Sequence, residues 1–214
     1  MKAKSLLIAG AALAASLMTS KAQVYSQNIV GYINVPLNAG YNLVANQLDL
    51  DGTGTNNSIY STVGTNLPNG TRVLAWNGSG FTTADYAASS QKWIGNNAVI
   101  TNAMNPGNGF FISVSVATNL TFVGNVITGT NTYPVAAGFQ IVAPSGPVAG
   151  TIDTTNGYTP TKSDKIYVWN GSGYATKDYT GTTWLGGDPQ LQVGQAVFLD
   201  AVGNTNWTQI LNVQ

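Results

Sequence analysis

The chain has 214 residues, eight basic and eight acidic side chains, and neither histidine nor cysteine. Only 7% of the residues are charged and no basic patch is present to neutralise phosphates, so nucleic-acid binding is disfavoured. All eight acidic residues are aspartates, and without histidine, cysteine or glutamate the usual general bases and nucleophile partners are missing. We therefore expect no enzyme of the Ser-His or Cys-His type, no catalytic residues and no cofactor.

The first residues have the three-part pattern of an export signal. Lys2 and Lys4 precede an apolar run over 6–18, and small residues favour cleavage after Ala22. The apolar run is shorter than the ~20 residues of a spanning helix, so we expect no transmembrane anchor after cleavage. Five basic and eight acidic side chains would remain, a net charge of −3. The pattern predicts a signal peptide over 1–22 and a protein that is secreted, at the cell surface or in the periplasm.

Beyond the signal, the chain consists of short segments rich in Val, Ile, Thr and aromatic residues, separated by Gly, Asn, Pro and Ser. This composition is typical of β-strands and turns, and it predicts an all-β protein. A first strand is predicted over 28–35. The segment 165–169 alternates so that apolar side chains face both sides, which predicts a strand between two layers or at an interface.

Six segments of the first half return in the same order in the second half. The matches are 39–45 with 137–143, 76–81 with 169–174, 85–86 with 178–179, 93–95 with 184–186, 106–112 with 193–199, and 119–121 with 206–208. The order predicts two tandem, antiparallel, sandwich-like or partly barrelled repeats related by a pseudo-two-fold axis, the first at 23–124 and the second at 125–214.

The best-preserved match is a Trp-Asn-Gly-Ser-Gly-aromatic stretch at 76–81 and 169–174. Asn-Gly between apolar segments is a strong hairpin signal, because a primed turn needs positive φ at both central residues. With a four-residue loop, Trp76 would face Phe81 and Trp169 would face Tyr174. Each aromatic pair would add roughly 0.2–1 kcal/mol over an alanine pair. We predict these four side chains as the ligand or interface aromatics.

One loop resembles a calcium site. Asp49, Asp51, Thr53 and Asn57 place oxygen atoms at spacings that a calcium loop uses, with a glycine at its turn. The acidic ligand at the end of such a loop is missing, and the second half does not repeat the pattern. A plain polar turn without metal is therefore the preferred interpretation, and calcium is the alternative.

Two aspartates deserve comparison with glycosidases, which use a pair of carboxyl groups. Asp85 and Asp178 are the candidates, but they hold equivalent positions in the two repeats. Equivalent positions are more simply explained by a shared structural task, such as accepting turn hydrogen bonds. An aspartate-dependent glycoside-active enzyme is therefore the third hypothesis for function.

These features resemble a β-rich repeat of secreted and cell-surface proteins in Gram-negative bacteria, common in Bacteroidetes, Verrucomicrobia and Planctomycetes. The shared motifs are Gly-aromatic-Asn-Leu-Val at 40–44, Trp-Asn-Gly at 76–78 and Pro-Gly-x-Gly-Phe-Phe at 106–111. The chain departs from the pattern at Gln47, where proline is usual, and at 195–196, where glycine is expected. The resemblance implies an exported accessory, adhesive or structural module without assigned catalytic residues.

We therefore expect an exported, non-enzymatic structural or adhesive protein of the cell surface or extracellular matrix. Its partners would be other copies of itself or other surface proteins. A strand over 27–35 could complete the sheet of a neighbouring copy, although pairing within its own chain is the simpler expectation. The alternative is a carbohydrate-binding module with polysaccharide as its partner, which would need the five tryptophans exposed in a row rather than buried in the core.

Overall fold

The computed structural model describes residues 29–54 and 56–212, so the predicted signal peptide lies outside the described residues. The all-β prediction is confirmed: the described chain is built from antiparallel strands. It also contains two α-helices and a 3-10 helix of four residues each. The sequence did not predict them, because four residues are too few to show a helical period.

The described part of the first half holds seven strands and the three short helices. In order they are β1 (Val30–Leu37), β2 (Gly40–Val44), α1 (Ile59–Thr62), β3 (Arg72–Trp76), β4 (Phe81–Ala87), β5 (Lys92–Gly95), α2 (Asn97–Ile100), the 3-10 helix (Thr101–Met104), β6 (Phe110–Val114) and β7 (Thr118–Asn125).

The second half holds nine strands. In order they are β8 (Gly129–Val135), β9 (Gly138–Val142), β10 (Gly150–Thr151), β11 (Lys165–Trp169), β12 (Tyr174–Tyr179), β13 (Trp184–Leu185), β14 (Gln190–Leu191), β15 (Val197–Ala201) and β16 (Thr205–Leu211).

Each half is built around a five-stranded sheet. The strand order is β2-β6-β3-β4-β5 in the first half and β9-β15-β11-β12-β13 in the second, which is the same order when strands are matched along the chain. A two-stranded sheet accompanies each of them, β1-β7 and β8-β16, and the pair β10-β14 is found in the second half. The sheets of the described residues are open and none closes into a barrel. The repeat boundary at 124/125 stays a prediction.

Three apolar clusters fill the space between the sheets. The first half and the second half each have a core of their own, and a third cluster joins the two five-stranded sheets. Strand β15 shows how: Val197 and Leu199 point into the core of the second half, while Phe198 between them points into the joining cluster. Such alternation follows from the two-residue period of a strand. The prediction that 165–169 is apolar on both sides is confirmed in the same way.

The first strand pairs within its own chain. Strand β1 pairs with β7 over eight residue pairs, from Val30 to Leu37. The hypothesis of a free strand at 27–35 is therefore wrong for the described part of that segment. The simpler expectation, that this strand pairs within its own chain, is confirmed. The outer edge of β5 is also covered, because the Trp93 N–H donates to the Tyr60 hydroxyl (3.1 Å) and Asn97 Nδ2 donates to the Trp93 carbonyl (3.2 Å). Capping of this kind protects an edge strand from pairing with other chains.

The two halves are joined by reciprocal hydrogen bonds. Trp76 Nε1 donates to the Phe139 carbonyl oxygen (2.9 Å), and Trp169 Nε1 donates to the Tyr41 carbonyl oxygen (3.0 Å). Trp76 matches Trp169 and Tyr41 matches Phe139 in the repeat alignment, so each half donates and accepts through equivalent residues. A contact in which each side supplies the same groups is the kind found in two-fold dimers.

Backbone contacts repeat this reciprocity. The Ala45 N–H donates to the Gly194 carbonyl (2.9 Å), and the Ala143 N–H donates to the Gly107 carbonyl (3.0 Å). Gln47, which stands where proline was expected, is buried at the same place and its Oε1 accepts from the Gly194 N–H (2.7 Å). Gln47 therefore adds a hydrogen bond between the halves.

Asp164 is buried, and its hydrogen bonds stabilise the fold. Asp164 is 1% exposed, and its carboxylate accepts from the Tyr158 hydroxyl (2.7 Å), the Thr161 N–H (2.7 Å) and the Val202 N–H (2.9 Å). A buried carboxylate is tolerated only when such donors replace water. The group therefore fixes the loop before β11 to the turn after β15.

Buried tyrosines predict a loss of stability in alkali. Burial raises the pKa of Tyr133 well above its usual 10.0, and burial followed by the hydrogen bond to Asp164 raises that of Tyr158. Folding raises both pKa values above the unfolded pKa of 10.0. The two tyrosines therefore contribute fully to the free energy of unfolding below pH 10.0, and this contribution is lost as the pH rises above that value. We expect the thermal unfolding midpoint to fall above about pH 10, measured by circular dichroism. Tyr133→Phe should make the fall shallower, and a midpoint that stays constant in alkali would contradict the prediction.

No helix within 29–54 or 56–212 is both long and apolar enough to cross a membrane.

Candidate functional site

The two hairpins place their aromatic residues as predicted. Trp76 pairs with Phe81 across β3 and β4, and Trp169 pairs with Tyr174 across β11 and β12. The ring centroids are 5.1 Å and 5.0 Å apart, in edge-to-face orientation. This geometry is favourable for aromatic pairs, because the positive edge of one ring meets the negative face of the other.

The turns differ from a primed turn. Gly78 has a φ of 98°, but Asn77 is not among the residues with positive φ. Asn77 instead stabilises the turn with its side chain, whose Oδ1 accepts from the Ser79 N–H (3.1 Å) and the Gly80 N–H (2.9 Å). The expectation of two positive φ values is therefore wrong, because a four-residue loop lets the asparagine side chain close the turn. The second hairpin makes the same bonds.

Behind the hairpins, aromatic rings from both halves enclose a cavity, here called the aromatic cavity. It has a volume of about 410 Å³ and is lined by Trp76, Phe139, Tyr167, Tyr174 and Phe198. Phe139 and Tyr167 lie nearly parallel (5.4 Å, 32°), whereas Tyr174 stands at 85° to Tyr167. The size is within the range of small-ligand sites, and rings at right angles offer a flat ligand both a face and an edge.

The rings of this cavity are open to solvent on one side. Phe139 is 47% exposed and Tyr174 is 43% exposed, whereas Phe198 at the back is 8% exposed. Burial raises the pKa of Tyr174, so its phenol is neutral in ordinary buffers. None of the five lining residues is an aspartate, lysine or arginine, so the cavity can bind through ring contacts without attracting charge.

The other three tryptophans lie in the two cores. Trp93 and Trp184 are 4% exposed and Trp207 is fully buried. Each indole N–H has a partner there, as for Trp207, whose Nε1 donates to the Asn156 carbonyl (2.6 Å). None of the five tryptophans is exposed: Trp76 and Trp169 are half-buried beside the joining cluster, so the described residues present no row of exposed tryptophans.

The two repeat-equivalent aspartates form ion pairs. Asp85 accepts from Arg72 (Nε–Oδ1 2.6 Å) and Asp178 lies 3.5 Å from the Lys165 ammonium, each across its own hairpin. Hydrogen bonding to Asp85 raises the pKa of Arg72. Each carboxylate thus pairs with a cation on its own sheet. The two aspartates therefore have the same structural role in their hairpins.

The loop that resembles a calcium site satisfies its carboxylates internally. Asp49 is buried and accepts from the Gly54 N–H (2.9 Å) and from Asn57 Nδ2 (2.9 Å). Asp51 accepts from the Thr53 hydroxyl, which together with Asn56 lowers its pKa. Across the described residues, no group of three acidic, histidine or cysteine side chains is placed to hold a metal ion. The arrangement is that of a polar turn, the preferred interpretation.

Sequence reasoning identified Trp76 and Tyr174 of the aromatic cavity and missed Phe139, Tyr167 and Phe198. A signal was present for all three. Phe139 matches the exposed Tyr41 in the repeat alignment, Tyr167 lies on the second apolar face of its strand, and Phe198 stands beside alternating core residues. Which of the two faces would meet the other half could not be deduced from these patterns.

Comparison with protein families, curated proteins and solved structures finds no match to this chain.

Proposed function

We propose that the chain is an exported, non-enzymatic structural or adhesive protein of the cell surface or extracellular matrix. The observation that carries the proposal is the aromatic cavity, which is lined by neutral rings alone. Such a surface holds a partner by burial and ring contacts, and its lining offers no strong acid or base for a reaction.

The carboxylates support the same proposal. Asp85 and Asp178 each neutralise a cation of their own sheet, and Asp164 holds two loops together. A glycoside-cleaving site would instead need two carboxyl groups facing each other across a bound sugar. These carboxylates serve the fold, so a binding or structural role fits the molecule better than a catalytic one.

The proposal is tested by where the protein goes and whether it assembles. The full precursor, expressed in a Gram-negative host, is assayed by protease treatment and immunolabelling of intact cells. The signal-free protein is assayed by light scattering and electron microscopy over a concentration series. Retention at the cell surface or regular assemblies are expected. A protein that stays inside the cell, or that is released as a monomer and held by no surface, would overturn the proposal.

A carbohydrate-binding module is the second candidate. The observation in its favour is that the aromatic cavity adjoins side-chain amides, since Trp76 also lines neighbouring cavities with Asn77, Asn108 and Gln140. Rings beside a few polar groups are the usual composition of a small-ligand site.

A further inference from the structure

The aromatic cavity continues into two others. A second cavity of about 350 Å³ shares Trp76 and Phe139 with it, and a third of about 300 Å³ shares Trp76 and Asn108 with the second. The three cavities share Trp76 in their lining and are here called together the Trp76 groove. One end of the groove is aromatic and the other is lined by amides.

The amide end has hydrogen-bonding capacity to offer. Asn102 and Asn108 are both exposed, and Asn108 Nδ2 donates to the Asn102 carbonyl (2.9 Å). Neither the Asn108 Oδ1 nor the Asn102 side chain has a partner within the described chain. Asn77 lies next to them, at the start of the first hairpin turn. An amide donates and accepts at once, so this end suits a ligand rich in hydroxyl groups.

The groove carries no charged residue in its lining. None of the residues that line its three cavities is an aspartate, lysine or arginine. An acidic or amino sugar would therefore find no counter-charge there. A neutral sugar chain matches both ends of the groove, because the C–H faces of a pyranose pack on rings and its hydroxyl groups bond to amides.

We propose that the Trp76 groove binds a neutral polysaccharide, with one sugar ring against Phe139 and Tyr167 and the following units along Asn102 and Asn108. The proposal rests on the adhesive function proposed above, since it names the surface to which the protein adheres. A small planar aromatic compound would use the aromatic cavity alone and leave the amides unused.

The other half of the chain supplies the control. The corresponding groove beside Trp169 is lined by Tyr41, Asn42 and Asn170 and has a volume of about 380 Å³. On the aromatic side, Leu74 occupies in β3 the place that Tyr167 occupies in β11, so the first half has one ring fewer there. One binding site per chain is therefore expected, although the two halves resemble each other.

The experiment is isothermal titration calorimetry of the signal-free protein with cellohexaose, xylohexaose, mannohexaose and maltohexaose. Polygalacturonate and chitosan oligomers serve as charged comparators, and a neutral aromatic dye serves as the apolar comparator. We expect at least one neutral hexasaccharide to bind with a stoichiometry of one. Tyr167→Leu, which copies the residue of the other half, should weaken that binding about tenfold. Asn108→Ala should weaken it about three- to tenfold, whereas Gln195→Ala, at the matching position of the control groove, should leave it unchanged.

Each of three outcomes would overturn the proposal: binding of the dye without any neutral hexasaccharide, preference for the charged oligomers, or binding that is the same in Tyr167→Leu. Thermal unfolding of each variant shows that a loss of binding is not a loss of folding. The proposed function fails separately, in the surface-retention and assembly assays, which use no added sugar. A protein that is retained at the surface but binds no neutral hexasaccharide would refute the proposed ligand and leave the proposed function standing.

Discussion

Asp164→Ala is expected to lower the free energy of unfolding by about 3–5 kcal/mol, because it leaves one buried and two part-buried donors without an acceptor. The Tyr158 hydroxyl and the N–H groups of Thr161 and Val202 all bond to this carboxylate. Urea unfolding monitored by tryptophan fluorescence measures the loss.

Two variants control this prediction. Asp178→Ala removes a half-exposed carboxylate of the neighbouring hairpin and should cost only about 0–1 kcal/mol. Asp164→Asn keeps the shape of the side chain and one acceptor oxygen, so its cost should lie between the two. If Asp164→Ala were no more destabilising than Asp178→Ala, the three hydrogen bonds would not stabilise the fold as argued.

Phe198→Ala is expected to cost about 3–5 kcal/mol, the usual loss for emptying a buried phenylalanine site. Its ring lies at the centre of the joining cluster, 5.7 Å from Trp76 and 6.2 Å from Phe111, both of which belong to the other half. The substitution therefore removes contacts within and between the halves at once. We also expect the single unfolding transition to split, because the halves keep their own cores when the cluster between them is weakened.

Phe139→Ala is the matched control, since it removes the same ring from the rim of the same cluster. Phe139 is 47% exposed and its carbonyl, which accepts from Trp76, belongs to the backbone and is retained. A cost of about 1–2 kcal/mol with one transition is expected. Differential scanning calorimetry distinguishes one transition from two, and equal costs for the two variants would contradict the central position of Phe198.

Local patterns predicted the local structure well. The repeated Trp-Asn-Gly-Ser-Gly stretch predicted both hairpins and the partners across them, because a turn and its flanking residues lie within six positions of each other. The first strand extends two residues beyond its predicted end, because Pro36 was expected to end it. Proline is tolerated there, since β1 belongs to a sheet of only two strands.

The site was harder to predict than the fold. The aromatic cavity unites Trp76 with residues of β9, β11, β12 and β15, which are up to 122 positions further along the chain (Trp76 to Phe198). The apolar alternation in β11 indicated that Tyr167 faces an interface, but not that the other half of the chain forms it. Asp164 gave no signal of burial either, because aspartate among Thr, Ser and Lys is typical of an exposed turn.

The reciprocal contact between the halves has a consequence for biosynthesis. A ribosome releases the first half while the second is still being made, so the face that carries Phe111 is complete before its partner surface exists. During that interval the nascent chain presents a self-matching apolar face to every other nascent copy nearby. Strand β15, which carries Phe198, follows the whole first half along the chain, so this period of exposure lasts until that strand of the second half has been made.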